Sequence, residues 1–548
     1  MNTGTLNLAW SDAFIAALVS AGLRHCVLAP GARSAPLALA ALRRTEIQCH
    51  VINDERAAAF FALGIGKATG LPAAILTTSG TAAANLLPAI MEAHLAHVPL
   101  LAITADRPPE ALGWGVNQSV DQIKLYGDQV RAFHGLATPT DPLDNGHLSA
   151  LAARLIHTTR VPLPGPVHVN VPFREPLLPD TIPVPPPLSA PLTIHAAETA
   201  RPSGLTALAA ALSGQPGIIL CGEAAYPPGF APAIAQLAAA LDAPIIAEAL
   251  SNMRCGPHDS SHLITHAAHF LRHTHLPVPA WVLRFGRFPV SRVVERWLAT
   301  LSEAKHIQVA AAGDWPDPLR QCTMRIEADP QRVAEDLRPL LPPVTPSFSK
   351  AWLEAEAAHS DDTAFFEGAI ARTLITSLPA NTHVFIGNSL AIRAMDTFGG
   401  RTQTPLTLHG NRGASGIDGN LATCAGIAAA TEQPIVAFVG DQTLLHDASS
   451  LALLARRNAI IVLLDNGGGR IFEHLPFAPT LPPDVLTRGW QAPATVDFSA
   501  LAIAYGLHYQ EATNPQGLSI ALKQALQGGA WLLRVVIDPA DSHRGFTT

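Results

Sequence analysis

The stretch VGDQTLLHDASSLALLARRNAIIVLLDNGG (residues 439–468) decides the fold, because an apolar strand, a helix and a second apolar strand follow one another in it. Near-continuous apolar strands separated by helices are typical of a parallel sheet that is covered on both faces. The first strand ends at Gly440 and Asp441, and the second ends at Asn466. We therefore expect these polar residues at one edge of a single sheet, where α/β proteins bind ligands.

The same alternation of strands and helices fills three blocks of the 548-residue chain. Strands are predicted at 25–31, 49–54, 73–80, 99–106 and 165–172, then at 217–223, 243–249, 281–286 and 306–313, and finally at 383–389, 434–441, 460–466 and 531–538. Two proline-rich stretches, IPVPPPLSAP (182–191) and RPLLPPVTPS (338–347), separate the blocks. The sequence thus predicts three doubly wound parallel-sheet α/β domains, at 1–182, 192–340 and 350–548.

Composition limits the kind of protein that this chain can be. Hydrophobic residues make up 48% and charged residues 14%, which favours large cores, and a net charge of -7 without basic tracts argues against a nucleic-acid partner. The six cysteines form no CxxC pair, which indicates a reducing compartment and no structural zinc site. The sequence shows neither a signal peptide nor an uninterrupted apolar run of about 20 residues. We expect a cytoplasmic protein without a membrane span.

The two strand ends of the opening stretch carry groups that suit a divalent cation. Asp441 and the amide oxygen of Asn466 are hard oxygen donors of the kind that Mg²⁺ prefers, usually together with substrate phosphates. Gly440 lets the backbone come close to a ligand, and the helix after Gln442 offers N–H groups to phosphate oxygens. Two ordinary βα turns are the alternative. Because both occur at this spacing, the sequence favours a metal–diphosphate site.

A second acidic position lies in NDERAAAFFALGIGKATG (53–70), where Asp54 and Glu55 open an apolar helix behind a short strand. An acid in the first turn can simply favour the helix dipole. A carboxylate that faces an apolar pocket can instead exchange a proton with a ligand near pH 7. The residues alone leave these two interpretations about even.

The segment from Gly440-Asp441 to Asn466 resembles the diphosphate-metal signature of thiamine-diphosphate enzymes, with Gln442 where many members carry glycine. The resemblance implies a pyrimidine-binding, a central and a diphosphate-binding domain, and a Glu55 that shares a proton with the cofactor's aminopyrimidine ring. It implies thiamine diphosphate as cofactor and Mg²⁺ or Mn²⁺ at Asp441, Asn466 and Gly468. The implied cofactor-binding residues are Glu55, Ser79, Ile417, Gly440, Asp441, Gln442, Thr443 and Asn466. Ile417 would hold the cofactor bent, with a core isoleucine as the alternative.

Within that family the whole chain resembles the synthases of menaquinone biosynthesis, most clearly in APGARSAPL (29–37), TADRPPE (104–110), GVNQSVDQ (115–122), IGNSLAIR (386–393) and HGNRGASGIDG (409–419). The resemblance implies decarboxylation of 2-oxoglutarate, addition of the product to isochorismate, and a dimer or tetramer whose active sites lie between subunits. Arginines suit the several carboxylates of these substrates, although any one of them could be structural. The candidate substrate-binding residues are Arg33, Arg107, Asn117, Gln118, Arg292, Ser389, Arg393, Arg412, Ile471, Phe472 and Leu475. Ala32 stands where relatives commonly have serine.

Two other functions remain open on the sequence. One is another thiamine-diphosphate decarboxylase or carboligase, such as an acetolactate synthase, and the other is a non-catalytic nucleotide-binding protein that kept the fold. The run HLITHAAHFLRHTH (262–275) also spaces four histidines as if along one helical face. We interpret it as a half-exposed helix face, not as a metal site.

Overall fold

A computed structural model describes residues 2–188, 204–272, 276–345, 347–359, 364–542 and 546. The described residues form two compact units, one from Met1–Ala196, Asn411–Glu432 and Leu445–Arg457, and the other from Ala197–Gly410, Gln433–Leu444 and Asn458–Thr548. The bounds of the three predicted domains stay a prediction. In the described part of the chain, no helix combines the length and the apolar character needed to cross a membrane.

The first sheet lies in the first unit and has six parallel strands in the order β2-β1-β3-β4-β6-β5. Its strands are β1 (His25–Leu28), β2 (Gln48–Val51), β3 (Ala73–Thr77), β4 (Leu100–Asp106), β5 (Ala132–Gly135) and β6 (Pro166–Pro172). The helices of this segment are α1 (Thr3–Ser20), α2 (Ala35–Leu42), α3 (Glu55–Thr69), α4 (Thr81–Ala84), α5 (Leu87–Ala96) and α6 (Asn145–Thr158). Every residue of β3, β4 and β6 is buried, so the core follows these central strands.

The second sheet, in the second unit, has six parallel strands in the order β12-β11-β10-β7-β8-β9. Its strands are β7 (Gly217–Cys221), β8 (Ile245–Ala247), β9 (Leu263–Ile264), β10 (Trp281–Phe285), β11 (Lys305–Ala310) and β12 (Cys322–Glu327). The helices are α7 (Leu205–Leu212), α8 (Phe230–Leu241), α9 (Ala267–Phe270), α10 (Arg292–Ala299) and α11 (Pro330–Leu337).

The third sheet also lies in the second unit and has six parallel strands in the order β14-β13-β15-β16-β18-β17. Its strands are β13 (His383–Ile386), β14 (Thr407–Gly410), β15 (Ile435–Gly440), β16 (Ala459–Asp465), β17 (His508–Ala512) and β18 (Ala530–Val536). The helices of this part of the sequence are α12 (Phe348–Ala357), α13 (Glu367–Ser377), α14 (Leu390–Phe398), α15 (Asn420–Thr431), α16 (Asp441–His446), α17 (Leu451–Leu454), α18 (Pro483–Leu486), α19 (Phe498–Tyr505) and α20 (Pro515–Ala525), of which α15 and α17 belong to the first unit.

The first and third sheets share one strand order, whereas the second is wound differently. A histidine pair marks the same place in both: His25 and His50 stack between β1 and β2, and His383 and His409 stack between β13 and β14. All strand pairs in the three sheets are parallel, and α-helices connect most of the consecutive strands. The predicted fold class, three doubly wound parallel α/β sheets, is confirmed.

Five strands were missing from the sequence prediction, namely β5, β9, β12, β14 and β17. Each lies at the edge of its sheet. An edge strand needs no continuous apolar run, because one side of it faces solvent or loops. In the two proline-rich stretches, 182–188 has no regular structure, Arg338–Leu340 forms a single 3₁₀ turn, and 189–191 and 346 lie outside the described residues.

Within the first unit, α3 and α15 cross at very short range. A Cβ added at Gly64 would lie 2.1 Å from the backbone oxygen of Thr423, and one added at Gly426 would lie 2.0 Å from that of Phe61. Glycine therefore lets the two backbones touch at this crossing, much as small residues do at other close helix contacts. Because α3 begins at Glu55, the crossing fixes the helix that carries this carboxylate.

Within the second unit, a buried ion pair joins the segments of the second and third sheets. Arg254 donates to the backbone oxygen of Asp396 at 2.7 Å and to its carboxylate at 3.0 Å, and the Ala249 N–H donates to the same carboxylate oxygen at 3.0 Å. Both side chains are less than a tenth exposed. The pair is satisfied by close hydrogen bonds, as a buried ion pair must be to persist.

Candidate active site

The ends of β15 and β16 lie side by side, because Gly440 pairs with Leu464 in the parallel ladder. Asp441 follows directly and is almost fully buried. Its carboxylate accepts hydrogen bonds from the N–H groups of Gln442 at 2.6 Å and Gly468 at 2.8 Å. Burial, with the charge of Asp465 added, raises the pKa of Asp441 to about 6. A buried carboxylate in this state gains most from a nearby cation.

Asn466, the next residue after β16, is held in one orientation. Its Nδ2 donates to the carboxylate of Glu367 at 2.7 Å and to the hydroxyl of Ser542 at 3.1 Å. A carboxylate only accepts hydrogen bonds, so the amide nitrogen must face Glu367. The amide oxygen is then the atom of Asn466 that can bind a cation.

The donors near these strand ends fit a divalent cation with a diphosphate. Gly467 and Gly468 take positive φ angles of 81° and 113°, which glycine adopts readily and which turn the chain behind Asn466. An added Cβ at Gly440 would meet nothing within 4 Å, so the space beside this residue is open. In the described residues, no group of three or more His, Cys, Asp or Glu side chains could hold a metal alone. Phosphate oxygens commonly complete the coordination of Mg²⁺ at sites with one or two protein carboxylates.

Gln442 and Thr443 occupy the first turn of the short helix α16. The Gln442 side chain donates to the backbone oxygen of Ala492 at 3.0 Å, and Thr443 is buried. Gln442 thus turns its amide toward a protein carbonyl, while its backbone N–H is already used by Asp441.

Glu55 lies half-buried in the first turn of α3, directly after the strand and turn that the sequence predicted. Its two neighbours are tied to another segment of the same unit. Asp54 caps the helix by accepting from the Ala57 N–H at 3.1 Å and also accepts from the Ser449 hydroxyl at 3.0 Å. Arg56 donates to the backbone oxygen of His446 at 3.0 Å. The turn that carries Glu55 is therefore clamped on both sides.

Ser79, Arg107 and Gln118 form one polar cluster at the carboxyl ends of β3 and β4. The Arg107 guanidinium donates to the Ser79 hydroxyl, which itself donates to the Gln118 backbone oxygen at 3.1 Å. The Gln118 side-chain amide donates in turn to the backbone oxygen of Ser79 at 2.9 Å. Burial and the nearby charge of Arg33 lower the pKa of Arg107. Two arginines this close favour a shared anionic ligand.

Arg33 is buried and bonded to the protein itself. It donates to the Phe173 backbone oxygen at 3.0 Å and to the exposed carboxylate of Glu175 at 2.8 Å. Asn117 is exposed in the loop before Gln118. The structure thus brings Arg33, Arg107, Ser79 and Gln118 together and leaves Asn117 on the rim.

The other predicted substrate residues are distributed over both units. In the second unit, Arg393 on α14 donates to the Ser389 backbone oxygen at 2.7 Å, and Ser389 has a positive φ of 67°. Arg292 is exposed at the start of α10, in the segment of the second sheet. In the first unit, Arg412 and Ile417 lie in the loop 411–419, both half-buried.

Ile471, Phe472 and Leu475 lie in or next to a 3₁₀ helix at Arg470–His474, just behind Gly468. Ile471 and Phe472 are half-buried and Leu475 is 36% exposed. None of the three belongs to the fully buried core, so they are available to line a pocket.

Comparison with known proteins places the chain. The family model described as "Thiamine pyrophosphate enzyme, N-terminal TPP binding domain" matches residues 9–125, and the corresponding C-terminal TPP binding domain matches residues 393–535. A 2-succinyl-5-enolpyruvyl-6-hydroxy-3-cyclohexene-1-carboxylate synthase of Dechloromonas aromatica is 42% identical over 96% of this chain and 97% of its own length. Synthases of the same name from Halobacterium salinarum and Chloroflexus aurantiacus are 38% and 37% identical, over 99% and 96% of this chain and 98% and 93% of their own lengths. The chain belongs to this synthase family.

The sequence analysis did not identify two buried carboxylates near the candidate site residues, those of Glu367 and Glu92. Glu367 is fully buried against Asn466, and Glu92 is buried against the loop that carries Arg412. One signal was present: each glutamate stands among apolar or small residues on a helix, where a solvated acid is unexpected. Their partners come from distant parts of the sequence, so no local pattern could name them.

The histidines of the run 262–275 do not lie along one helical face, so the expectation of a half-exposed helix face was wrong. His262 precedes β9, His266 caps α9, and only His269 lies within this four-residue helix, while His273 is outside the described residues. The strand pairing of β9 interrupts the helix. Instead, His266 and His269 each pack on the ring of His359, and the His266 Nδ1–H donates to the Glu356 carboxylate at 3.0 Å.

Proposed function

We propose that this protein is a thiamine-diphosphate-dependent 2-succinyl-5-enolpyruvyl-6-hydroxy-3-cyclohexene-1-carboxylate synthase, a transferase of menaquinone biosynthesis. The reaction decarboxylates 2-oxoglutarate and joins the remaining four-carbon unit to isochorismate, releasing CO₂. The observation that carries the proposal is the identity of 37–42% with synthases of that name over nearly the whole of both chains. Another thiamine-diphosphate enzyme and a non-catalytic protein are both disfavoured by this full-length match.

The cofactor supplies, when bound, the nucleophilic carbon that lets a 2-oxo acid lose CO₂. We propose that Glu55 holds a proton at the nitrogen of the cofactor's aminopyrimidine ring. The clamped first turn of α3 supports this role, because a catalytic carboxylate must keep a fixed distance to its partner. Ser79 and Ile417 would border the same ring system.

We propose that Mg²⁺ or Mn²⁺ is held by the side chains of Asp441 and Asn466 and by the backbone of Gly468. The buried, raised-pKa carboxylate of Asp441 and the oriented amide of Asn466 support this site. Phosphate oxygens of the cofactor would complete the coordination, as is usual for Mg²⁺. Gly440, Gln442 and Thr443 would lie beside the diphosphate.

Both substrates carry carboxylates, and we propose that the arginines bind them. Arg33 and Arg107 with Ser79 and Gln118 form the cationic cluster with the clearest geometry. Arg393 and Arg412 would bind further carboxylates, with Asn117, Ser389 and Arg292 as additional polar contacts. Ile471, Phe472 and Leu475 would cover the apolar side of the substrate.

We further propose a cytoplasmic homo-oligomer, dimer or tetramer, with active sites between subunits. Six free cysteines fit a reducing compartment. The family resemblance supports shared sites, since Glu55 would then meet the Asp441 site of a second subunit. Mixing inactive Glu55→Gln and Asp441→Ala subunits should restore activity through heterodimers with one intact site. No recovery despite demonstrated subunit exchange would mean that each chain builds its own site.

The function is tested by mass spectrometry of the products. Purified protein with thiamine diphosphate and Mg²⁺ should convert 2-oxoglutarate and isochorismate into the named cyclohexene carboxylate, with one CO₂ for each product molecule. Replacing 2-oxoglutarate by pyruvate serves as the control for an acetolactate-synthase-like activity. Turnover of pyruvate alone, without product from the first pair, would refute the proposal.

A further inference from the structure

The Glu92 carboxylate on α5 is buried and aimed at a loop from a distant part of the sequence. It is 2% exposed. One oxygen accepts from the Gly413 N–H at 2.8 Å, and the other accepts from the Ala414 N–H at 2.6 Å and the Ser415 N–H at 3.3 Å. Three successive backbone N–H groups converging on one anion form a nest, a geometry that holds backbone and anion in fixed register.

The three N–H groups of the loop lie closer to the Glu92 carboxylate than its ion-pair partner Lys67 does. The ammonium group of Lys67 lies 4.0 Å from the nearer Glu92 oxygen, farther than any of the three N–H donors. Lys67 thus balances the buried charge, while the hydrogen bonds of Glu92 go to the loop. Glu92 is oriented toward the loop backbone and not toward its helix neighbours.

Besides Glu92 on α5, two asparagines anchor the loop 411–419. Asn411 donates to the Thr423 hydroxyl at 2.9 Å, and Asn420 donates to the backbone oxygens of Gly416 at 3.1 Å and Asp418 at 2.9 Å. Those two anchors tie the loop to the beginning of α15. A Cβ added at Gly413 would lie 2.6 Å from the Glu92 backbone oxygen, so the loop backbone rests directly on α5.

The anchored residues lie between Arg412 and Ile417, the two loop residues proposed to contact substrate and cofactor. We infer that Glu92 is a positioning residue, which fixes the loop 411–419 so that Arg412 and Ile417 are presented in one arrangement. The inference rests on the proposed function for the roles of these two residues. Because the Glu92 carboxylate is buried against the loop backbone, its effect would reach substrate and cofactor through Gly413–Ser415.

The test begins with Glu92→Gln, which keeps the shape but removes the charge and one acceptor oxygen. Hydrogen exchange of the cofactor-free protein should show the amides of Gly413–Ser415 exchanging about tenfold faster or more, since charge-assisted hydrogen bonds are the strong ones. Gly413→Ala perturbs the same contact from the loop side without removing the buried charge, and it should give the same change. The matched control is Glu356→Gln, another buried carboxylate that accepts backbone N–H bonds, from Thr265 and His266.

Steady-state kinetics separates positioning from a merely structural role. In Glu92→Gln, KM should rise about five- to tenfold for the substrate that Arg412→Ala also weakens, while kcat changes less than about twofold. Cofactor affinity, measured by calorimetry, should fall in the same variant and stay unchanged in Glu356→Gln. Unchanged exchange at Gly413–Ser415 would overturn the inference. The inference would also be overturned if Glu92→Gln exchanged these amides faster but had the same KM and the same cofactor affinity as Glu356→Gln. The exchange and calorimetry arms need no turnover, so they stand even if the proposed reaction fails.

Discussion

The crossing of α3 and α15 predicts a large effect from the smallest possible substitution. In Gly64→Ala, the new Cβ would lie 2.1 Å from the Thr423 backbone oxygen, whereas ordinary contacts begin at 3.4 Å. The helices would have to separate by roughly 1.3 Å, because a backbone oxygen cannot rotate away. Overpacking of this kind destabilises proteins by about 1–3 kcal/mol, against a gain of about 1 kcal/mol from replacing a helical glycine by alanine.

We therefore expect Gly64→Ala and Gly426→Ala each to lower the free energy of unfolding of this unit by up to about 2 kcal/mol, the overpacking cost less the alanine gain. The double variant should lose less than the sum, because an added Cβ at Gly426 lies 3.1 Å from the Gly64 Cα and one separation relieves both contacts. Urea unfolding followed by circular dichroism measures the shift in midpoint.

Gly146→Ala is the matched control, because Gly146 also lies in a helix but an added Cβ would meet only the Asp144 side chain, at 3.4 Å. This variant should be neutral or slightly more stable than the wild type. Wild-type midpoints for both crossing variants would refute the reasoning, since the helices would then separate freely.

Three further outcomes are expected. Glu55→Gln should keep cofactor binding but slow exchange of the cofactor's C2 proton by orders of magnitude, measured by NMR, because an amide cannot share the proton; near-normal exchange would contradict the role. Asp441→Ala should abolish Mg²⁺-dependent cofactor binding in calorimetry, whereas unchanged affinity at saturating Mg²⁺ would make this turn structural. Burial alone would raise the pKa of Glu356, but its hydrogen bonds with His266 and Thr265 lower this pKa to about 2. The ionised carboxylate therefore stabilises the folded protein fully above about pH 4.5, and this stabilisation is lost as the pH falls toward 2. Glu356→Gln should accordingly be less stable than the wild type at pH 7 and approach it near pH 2–3 in thermal unfolding; a pH-independent difference would exclude this linkage.

The interior strands of all three sheets could be predicted from the sequence, whereas five of the six edge strands could not, β2 being the exception. β3, β4 and β15 are short apolar runs that end in small or polar residues, and this pattern is specific for buried parallel strands. An edge strand such as β17 (HYQEA) is half-exposed and looks like a loop. Its position is set by its hydrogen bonds to β18, which no local pattern records.

In the candidate site, too, residues in short local motifs could be predicted, whereas residues brought together by tertiary packing could not. Asp441, Asn466 and Glu55 could be named because each follows a strand in a short motif. The residues that hold them, such as Glu367 beside Asn466 and Ser449 beside Asp54, are separated from their partners by about a hundred positions or more. Tertiary packing alone brings such pairs together, so no local sequence pattern identifies them.

The Arg254–Asp396 pair has a consequence for how this chain can be recombined. Exchanging the middle segment for one from a relative without the arginine would leave the Asp396 carboxylate buried beside no cation. Losing one partner of a buried pair typically destabilises a protein by about 3–5 kcal/mol. The middle segment is therefore a poor module for shuffling, and chimaeras should tolerate crossover points only when Arg254 and Asp396 are inherited from the same parent.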